Sequence, residues 1–250
     1  MPFILKMTPF IFFFVCQGKI VLKFLKIYKV IFMKNKSRKS TSDKINFDNK
    51  DNPYLKLTSP YRLNVGCGRN IREGWLNLDY AALPGVDIVC DLEKVRENPI
   101  NLPDSSVDYF HLSHVLEHIK DTLGLMEELW RLARPDAAIE INVPFGSSDD
   151  AWEDPTHIRP YFLDSFGYFS QTYYWRADYG YRGDWQPKKI VLRVNPERCA
   201  GLNNAGIMKK ISEERNIVYE MTCFMVAVKP IRQPLRELQV YPEIEVIMGY

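Results

Sequence analysis

Leu63-Asn64-Val65-Gly66-Cys67-Gly68 is the stretch that decides the fold, because a hydrophobic strand here runs into a Gly-x-Gly turn. Glycine has no side chain to obstruct a ligand and tolerates positive φ, so the backbone of such a turn can approach a bound molecule closely. A dinucleotide-binding fingerprint needs a third small residue, but Ile71 stands in its place. The turn predicts a ligand-binding loop for which NAD is a poor fit.

The strands that follow end in polar residues whose chemistry suits a nucleoside. The second strand ends at Asp79, whose carboxylate can accept both hydroxyl protons of a ribose. The third strand ends at Asp91, which is placed to accept a hydrogen bond from an adenine amino group while Leu92 packs on the ring. The fourth strand runs into Ser113 and His114.

Short apolar runs alternate with helical pattern through this part of the chain, which predicts an α/β fold with a mostly parallel sheet. Strands are predicted at Arg62–Val65, Trp75–Leu78, Asp87–Cys90, Asp108–Leu112 and Ala138–Val143, with an antiparallel closing pair at Lys189–Val194 and Ile217–Val228. The clearest helix is Asp121–Ala133, where apolar residues repeat at three- and four-residue steps and Pro135 is expected to stop it. Ligands of such sheets bind at the carboxyl ends of the strands.

Taken together, residues 62–145 resemble the class I methyltransferases of the type-11 group. The shared features, in order, are the Gly-x-Gly loop, the acid-ended second strand, Asp-Leu after the third strand and Leu-Glu-His after the fourth. The resemblance covers about a third of the chain. It implies a Rossmann-like fold with a seven-stranded, mostly parallel sheet and helices on both faces, and S-adenosylmethionine as the cofactor.

The resemblance also assigns roles to individual residues. It implies that Gly66, Cys67 and Gly68 lie at the methionine part of the cofactor. Ser113 and His114 would line the pocket floor near the sulfonium.

The chain departs from the group's pattern in two places. Only ten residues separate Gly68 from Asp79, too few for a full helix and a strand, so Arg69–Glu73 is predicted to be a shortened turn. Pro135-Asp136-Ala137 stands where the group usually has Pro-Gly-Gly. We expect the turn there to differ while the fifth strand survives.

Residues 145–187 are rich in aromatic side chains and show little periodicity, so they are interpreted as a substrate-facing insertion. Most of these rings are expected to form a cover packed on the edge of the sheet. The segment also contains Asp154-Pro155-Thr156-His157, and similar segments follow the fifth strand in some relatives of the group. His157 could take a proton from an acceptor, since an ordinary pKa of about 6.5 suits a base near neutrality. Alternatively, Asp154 and His157 cap and orient a loop.

A rival pattern overlaps the fourth strand. His114-Val115-Leu116-Glu117-His118 matches H-x-x-E-H, the inverted zinc-protease motif. The pattern is short, it follows a strand of a sheet-forming series, and no downstream helix offers an evident acidic third ligand. A zinc metalloprotease is therefore ranked below a methyltransferase, and no metal site is predicted.

Charge is distributed unevenly along the chain. Residues 1–60 carry twelve Lys or Arg against three Asp, whereas the remainder carries 21 basic against 28 acidic residues. A mildly acidic body argues against a nucleic-acid substrate. The five cysteines are widely spaced and form no CxxC pair, which fits a reducing, cytoplasmic setting.

Three regions are predicted. Residues 1–33 are an apolar and basic segment in which residues 19–32 can form an amphipathic helix. That helix could contact a membrane surface, or residues 1–33 could be an upstream extension of the natural start. Residues 34–52 have the composition of a polar linker, and residues 53–250 form the folded domain.

These observations predict an S-adenosylmethionine-dependent methyltransferase. The expected acceptor is an oxygen or nitrogen of a small molecule or a glycan. The alternative is a catalytically inactive module that keeps the fold and the cofactor pocket.

Overall fold

The computed structural model describes residues 59–249. In this part of the chain, no helix is both long enough and apolar enough to cross a membrane. The assignments for residues 1–33 and 34–52 lie outside the described residues and stay predictions.

One sheet of eight strands forms the centre of the fold, in the order β3-β2-β1-β4-β5-β7-β6-β8. The strands are β1 (Tyr61–Val65), β2 (Leu76–Asp79), β3 (Ile88–Val89), β4 (Val107–Ser113), β5 (Ala133–Pro144), β6 (Trp185–Val194), β7 (Val218–Ala227) and β8 (Glu243–Met248). The first five strands pair in parallel, while β7 is antiparallel to both β5 and β6. The predicted mostly parallel, Rossmann-like architecture and the antiparallel closing pair are confirmed.

The predicted count of seven strands was too low by one. Strand β8 pairs in parallel with β6 and extends the sheet at its edge. Its side chains are half-buried or exposed, as is common for an edge strand, and no strand is predicted after Val228 from the sequence.

Helices flank the sheet. Residues 59–249 contain α1 (Thr122–Leu132), α2 (Asp150–Glu153), α3 (Pro196–Cys199) and α4 (Asn204–Glu213). The predicted helix at 121–133 is confirmed as α1, and Asp121 caps it by accepting a hydrogen bond from the Gly124 amide at 2.9 Å. The expected role of Pro135 was wrong, because Ala133 is already extended and Pro135 lies inside β5.

Strand β5 forms despite the Pro135-Asp136-Ala137 sequence near its start, as predicted. Asp136 takes a φ of 62°, in the left-handed region that glycine adopts most easily. Aspartate tolerates this region better than most residues, so the strand survives the replacement.

A short loop replaces the helix that usually follows the first strand, which confirms the predicted shortened turn. Two buried amide side chains hold it. The Asn64 amide donates to the Asn70 carbonyl at 2.8 Å and to Asn77 Oδ1 at 3.0 Å, and the same Asn77 oxygen accepts from the Arg72 amide at 2.8 Å. These bonds satisfy backbone groups that a helix would otherwise satisfy internally.

Strand order reverses beside β1, which lies between β2 and β4. Loops that leave neighbouring strands at such a switch point diverge and open a crevice at the carboxyl ends of the strands. The Gly66–Gly68 turn after β1 and the segment after β4 both start at this point.

The aromatic-rich insertion between β5 and β6 divides into buried and exposed rings. The rings that lie in the core are those of Tyr161, Phe166, Phe169, Tyr174 and Tyr181. The exposed rings include those of Trp152, Phe162, Tyr168 and Tyr179. Many rings of the insertion are thus packed in the core and cover the sheet, as expected.

A buried ion pair ties the segment after β7 to this cover. The Asp184 side chain is fully buried and accepts from Nε of Arg232 at 2.8 Å, from Nη2 at 2.7 Å and from the Gln171 amide at 3.1 Å. A buried carboxylate is stable only while such partners compensate its charge.

We predict that Arg232→Met lowers the free energy of unfolding by about 3 kcal/mol, because it leaves the Asp184 carboxylate buried and uncompensated. Arg236→Met is the matched control, since the exposed Arg236 guanidinium only stacks 5.3 Å from the Trp175 ring centre and should cost about 0.5 kcal/mol. Urea unfolding of the full chain measures both. Equal losses would show that the buried pair adds nothing.

Candidate active site

The crevice begins where the loops after β1 and β4 touch. Gly66 has a φ of 64°, and a methyl group added at its Cα would lie 2.5 Å from Cγ2 of the buried Val115. Only glycine allows this approach together with that backbone conformation. The first glycine of the turn therefore allows the two loops to pack against each other.

The second glycine faces open space. Gly68 has a φ of 52°, and a methyl group added there would meet no atom within 4 Å. Between the glycines, Cys67 is buried, and its amide donates to the Leu78 carbonyl at 3.0 Å, which ties the turn to β2. Burial raises the pKa of the Cys67 thiol.

Asp79 meets this turn from the end of β2. Its Oδ2 accepts from the Gly68 amide at 2.7 Å, and its Oδ1 accepts from the Ala81 amide at 2.9 Å. Each carboxylate oxygen has a second lone pair, so the half-buried Asp79 can still accept from ribose hydroxyls. The open side of Gly68 and the remaining lone pairs of Asp79 fit S-adenosylmethionine.

The predicted adenine-binding residues are engaged within the chain. Asp91 Oδ1 accepts from the Glu93 amide at 3.1 Å, where it caps the short 3₁₀ helix Leu92–Lys94, and its Oδ2 lies 3.2 Å from Nζ of Lys94. Leu92 is 8% exposed and belongs to the core. Their predicted contacts with adenine are not tested by this arrangement and stay predictions.

A cavity of about 600 Å³ opens at the carboxyl edge of β4 and β5. It is lined by His114, Pro144, Asp150, His157, Arg193, Tyr219 and Glu220. Its size is within the range of small-molecule sites. Of the predicted site residues, His114 and His157 line this cavity, and the exposed Ser113 directly precedes His114 at the end of β4. The predicted cofactor residues Gly66, Cys67, Gly68, Asp79, Asp91 and Leu92 are not among its lining residues.

His114 carries a positive charge at neutral pH. Its Nδ1 lies 3.2 Å from Oε1 of Glu117, and its Nε2 lies 3.1 Å from Oε2 of Glu220. The carboxylates of Glu117 and Glu220 raise the pKa of His114 to about 10. The imidazolium in turn holds the pKa of Glu220 below its ordinary value.

His157 reaches the cavity because its loop is fastened to the segment after β4. The Ile158 amide donates to the Glu117 carbonyl at 2.9 Å, and the Tyr161 hydroxyl donates to the Leu116 carbonyl at 3.2 Å. The rings of His118 and His157 lie 4.7 Å apart, centre to centre.

Asp154 organises the same loop. Its Oδ1 accepts from the Thr156 amide at 2.7 Å and from the Thr156 hydroxyl at 2.6 Å, while its Oδ2 lies 3.9 Å from Nε2 of His157. The hydroxyl bond from Thr156 lowers the pKa of Asp154. Asp154 therefore orients the loop, and its direct participation in catalysis stays a prediction.

The H-x-x-E-H segment does not have the geometry of a protease helix. Leu116–His118 is one 3₁₀ turn, and His114 precedes it with a φ of 55°. The side chains whose ligand-capable atoms come together are instead those of Glu117, His118 and His157, within 4.8 Å of one another.

Arg193 and Glu220 are cavity residues that were not predicted from the sequence. They face each other across β6 and β7, with Nε of Arg193 3.4 Å from Oε1 of Glu220. The available signal was a charged residue near one end of each closing strand.

Residues 39–178, more than half of the chain, match a family described as "Methyltransferase domain". The chain belongs to this family. The predictions of a class I methyltransferase and of S-adenosylmethionine as its cofactor are confirmed.

Several solved structures are similar to this one. A SAM-dependent methyltransferase from Archaeoglobus fulgidus is 16% identical, with 69% of this chain and 89% of that chain covered and a TM-score of 0.47. One from Aquifex aeolicus is 19% identical, with 70% and 87% covered and a TM-score of 0.42. Phosphoethanolamine N-methyltransferase 2 from Haemonchus contortus, in complex with S-adenosyl-L-methionine, is 14% identical, with 69% and 49% covered and a TM-score of 0.41. The comparison with curated proteins gave no match.

We predict that Gly68→Ala weakens S-adenosylmethionine binding by at least about tenfold, because the added methyl group occupies the space the cofactor needs. Gly201→Ala is the matched control, since Gly201 also has a positive φ of 73° and open space around it but lies in the turn between α3 and α4. Both variants should lose about 1 kcal/mol of stability through backbone strain. Titration calorimetry measures the affinities, and equal affinities would place the cofactor elsewhere.

Proposed function

We propose that this chain transfers the methyl group of S-adenosylmethionine to an oxygen of an uncharged, hydroxyl-rich acceptor, such as a sugar of a glycan, bound in the cavity beside His114 and His157. The observation that carries the proposal is the chemistry of the cavity wall. Six of its seven lining residues have polar side chains, Pro144 being the exception. Hydroxyl groups can both donate to and accept from such a wall.

The charges of the wall favour a neutral acceptor. The carboxylates of Asp150 and Glu220 are balanced by the Arg193 guanidinium and the His114 imidazolium. A phosphorylated acceptor would be expected to meet an excess of positive groups, and a cationic one an excess of carboxylates. An amine nitrogen is the second candidate acceptor atom.

The chain's own residues supply position rather than covalent chemistry. Bound S-adenosylmethionine supplies the electrophilic methyl group. Gly66, Gly68 and Asp79 would hold it in the crevice, with Ser113 and His114 between it and the cavity. Holding the acceptor oxygen in line with that methyl group removes much of the entropic barrier of the reaction.

The acceptor hydroxyl must also lose its proton. Of the groups at the cavity, His157 is the predicted proton acceptor, and its Nδ1 makes no hydrogen bond.

We predict that His157→Ala lowers kcat by about 100-fold or more while the Kd for S-adenosylmethionine changes less than about threefold. Ile158→Ala, a change of the exposed neighbouring side chain, is the control and should leave kcat nearly unchanged. Unchanged kcat in His157→Ala would remove His157 from the reaction.

The acceptor class can be identified directly. The full chain is incubated with methyl-labelled S-adenosylmethionine and a cell extract separated into carbohydrate, protein, nucleic-acid and small-molecule fractions. Label is expected in neutral carbohydrate or in a hydroxylated small molecule. Label confined to protein or nucleic acid would contradict the acceptor class, and cofactor binding with no label in any fraction would favour the inactive module.

A further inference from the structure

Two histidines and a glutamate lie close together beside the cavity. Ligand-capable atoms of Glu117, His118 and His157 lie within 4.8 Å of one another, although the residues come from two separate segments of the chain. Tetrahedral ligands about 2.1 Å from a metal ion would lie about 3.4 Å apart, so small side-chain rotations would close the set around an ion.

The carboxylate in this cluster lacks hydrogen bonds. Glu117 is 2% exposed, and neither Oε1 nor Oε2 has a hydrogen-bond partner. Its polar neighbour is Nδ1 of His114 at 3.2 Å, an ion-pair contact without hydrogen-bond geometry. The His114 imidazolium offsets part of the charge of this buried carboxylate, but both carboxylate oxygens stay without a hydrogen bond, and a bound cation would occupy their lone pairs.

One ring nitrogen of His118 and one of His157 have a lone pair available for a metal ion. The Thr156 hydroxyl donates its one proton to Asp154, so its 2.9 Å contact with Nδ1 of His118 places a proton on that nitrogen. The other ring nitrogen of His118 is then a lone-pair donor. Nδ1 of His157 is buried without a partner, while its Nε2 lies on the side of Asp154. The Thr156 hydroxyl thus fixes the outer nitrogen of His118, and such hydrogen-bond partners of ligand histidines are typical of metal sites.

We infer that Glu117, His118 and His157 bind one divalent first-row transition-metal ion, with Zn²⁺ as its representative. Imidazole nitrogens favour such ions over Mg²⁺, which prefers an all-oxygen shell. Three protein ligands leave at least one position open. Since His157 also lines the cavity, that position can face the acceptor.

This inference rests on the proposed function for its role and changes the part played by His157. An acceptor hydroxyl that coordinates the ion loses its proton more readily. That proton passes to solvent, and an oxygen lone pair forms the new bond to the methyl carbon while the electrons of the carbon–sulfur bond stay on sulfur. The lone pair of His157 Nδ1 is then a metal ligand instead of a general base.

The test is metal binding by the full chain after dialysis against a chelator. Calorimetry should show one equivalent of Zn²⁺ with a Kd at or below the micromolar range, and Mg²⁺ should bind at least about 100-fold more weakly. Co²⁺ should give the visible absorption of a nitrogen-ligated site. No stoichiometric binding of Zn²⁺ or Co²⁺ would overturn the inference.

Variants locate the site. His118→Gln, His157→Gln and Glu117→Gln should each weaken Zn²⁺ binding at least about 100-fold, whereas His114→Gln should keep it. Loss of Zn²⁺ in His114→Gln with retention in His157→Gln would overturn the inference in favour of the H-x-x-E-H pattern. Binding of S-adenosylmethionine by each variant reports whether it is folded, and the Co²⁺ spectrum of the unmodified chain tests the site without any variant.

The experiments distinguish an incorrect metal site from an incorrect proposed function. Methyl transfer that persists in chelator, together with absent Zn²⁺ binding, would reject the ion and leave the proposed function in place. Zn²⁺ binding without methyl transfer to any acceptor would reject the proposed function and leave the metal site in place.

Discussion

The contact between Gly66 and Val115 is the constraint on which the site depends. A methyl group at Gly66 would lie 2.5 Å from Val115. The loop after β1 can therefore pack this closely on the segment after β4 only if residue 66 is glycine. This contact occurs where the strand order reverses, which is where open α/β sheets bind ligands. The buried amides of Asn64 and Asn77 hold the remainder of the loop without a helix. The loop predicted to hold the amino-acid end of the cofactor is therefore short and held by side-chain hydrogen bonds.

The segment after β4 connects the two halves of the site. It packs against the glycine turn through Val115, presents His114 to the cavity and fixes the 154–161 loop through the carbonyls of Leu116 and Glu117. In the proposed function, residues of this one short segment would therefore position the cofactor and orient the loop that carries His157. Hydrogen bonds and packing therefore join the Gly66–Gly68 turn to the cavity lined by His114 and His157.

Local sequence pattern predicted the first five strands, α1 and the shortened loop, because each depends on nearby residues: alternation, a cap at Asp121, or a count of residues. The cavity wall could not be predicted in the same way. Arg193 and Glu220 meet only through the antiparallel register of β6 and β7, and His157 meets Glu117 only because its loop folds back across 40 positions of sequence. Strand β8 was missed because a half-exposed edge strand has a weak pattern. The cluster of Glu117, His118 and His157 was likewise not predicted, since the motif visible in the sequence pairs His118 with His114.

A crystal structure of the full chain with S-adenosylhomocysteine, the product left after methyl transfer, tests the central claim most directly. The account predicts ribose hydroxyls hydrogen-bonded to Asp79, the amino-acid end along the open side of Gly68, and the sulfur directed toward the cavity beside His114. Density for the ligand away from the crevice, or no ligand at saturating concentration, would contradict it.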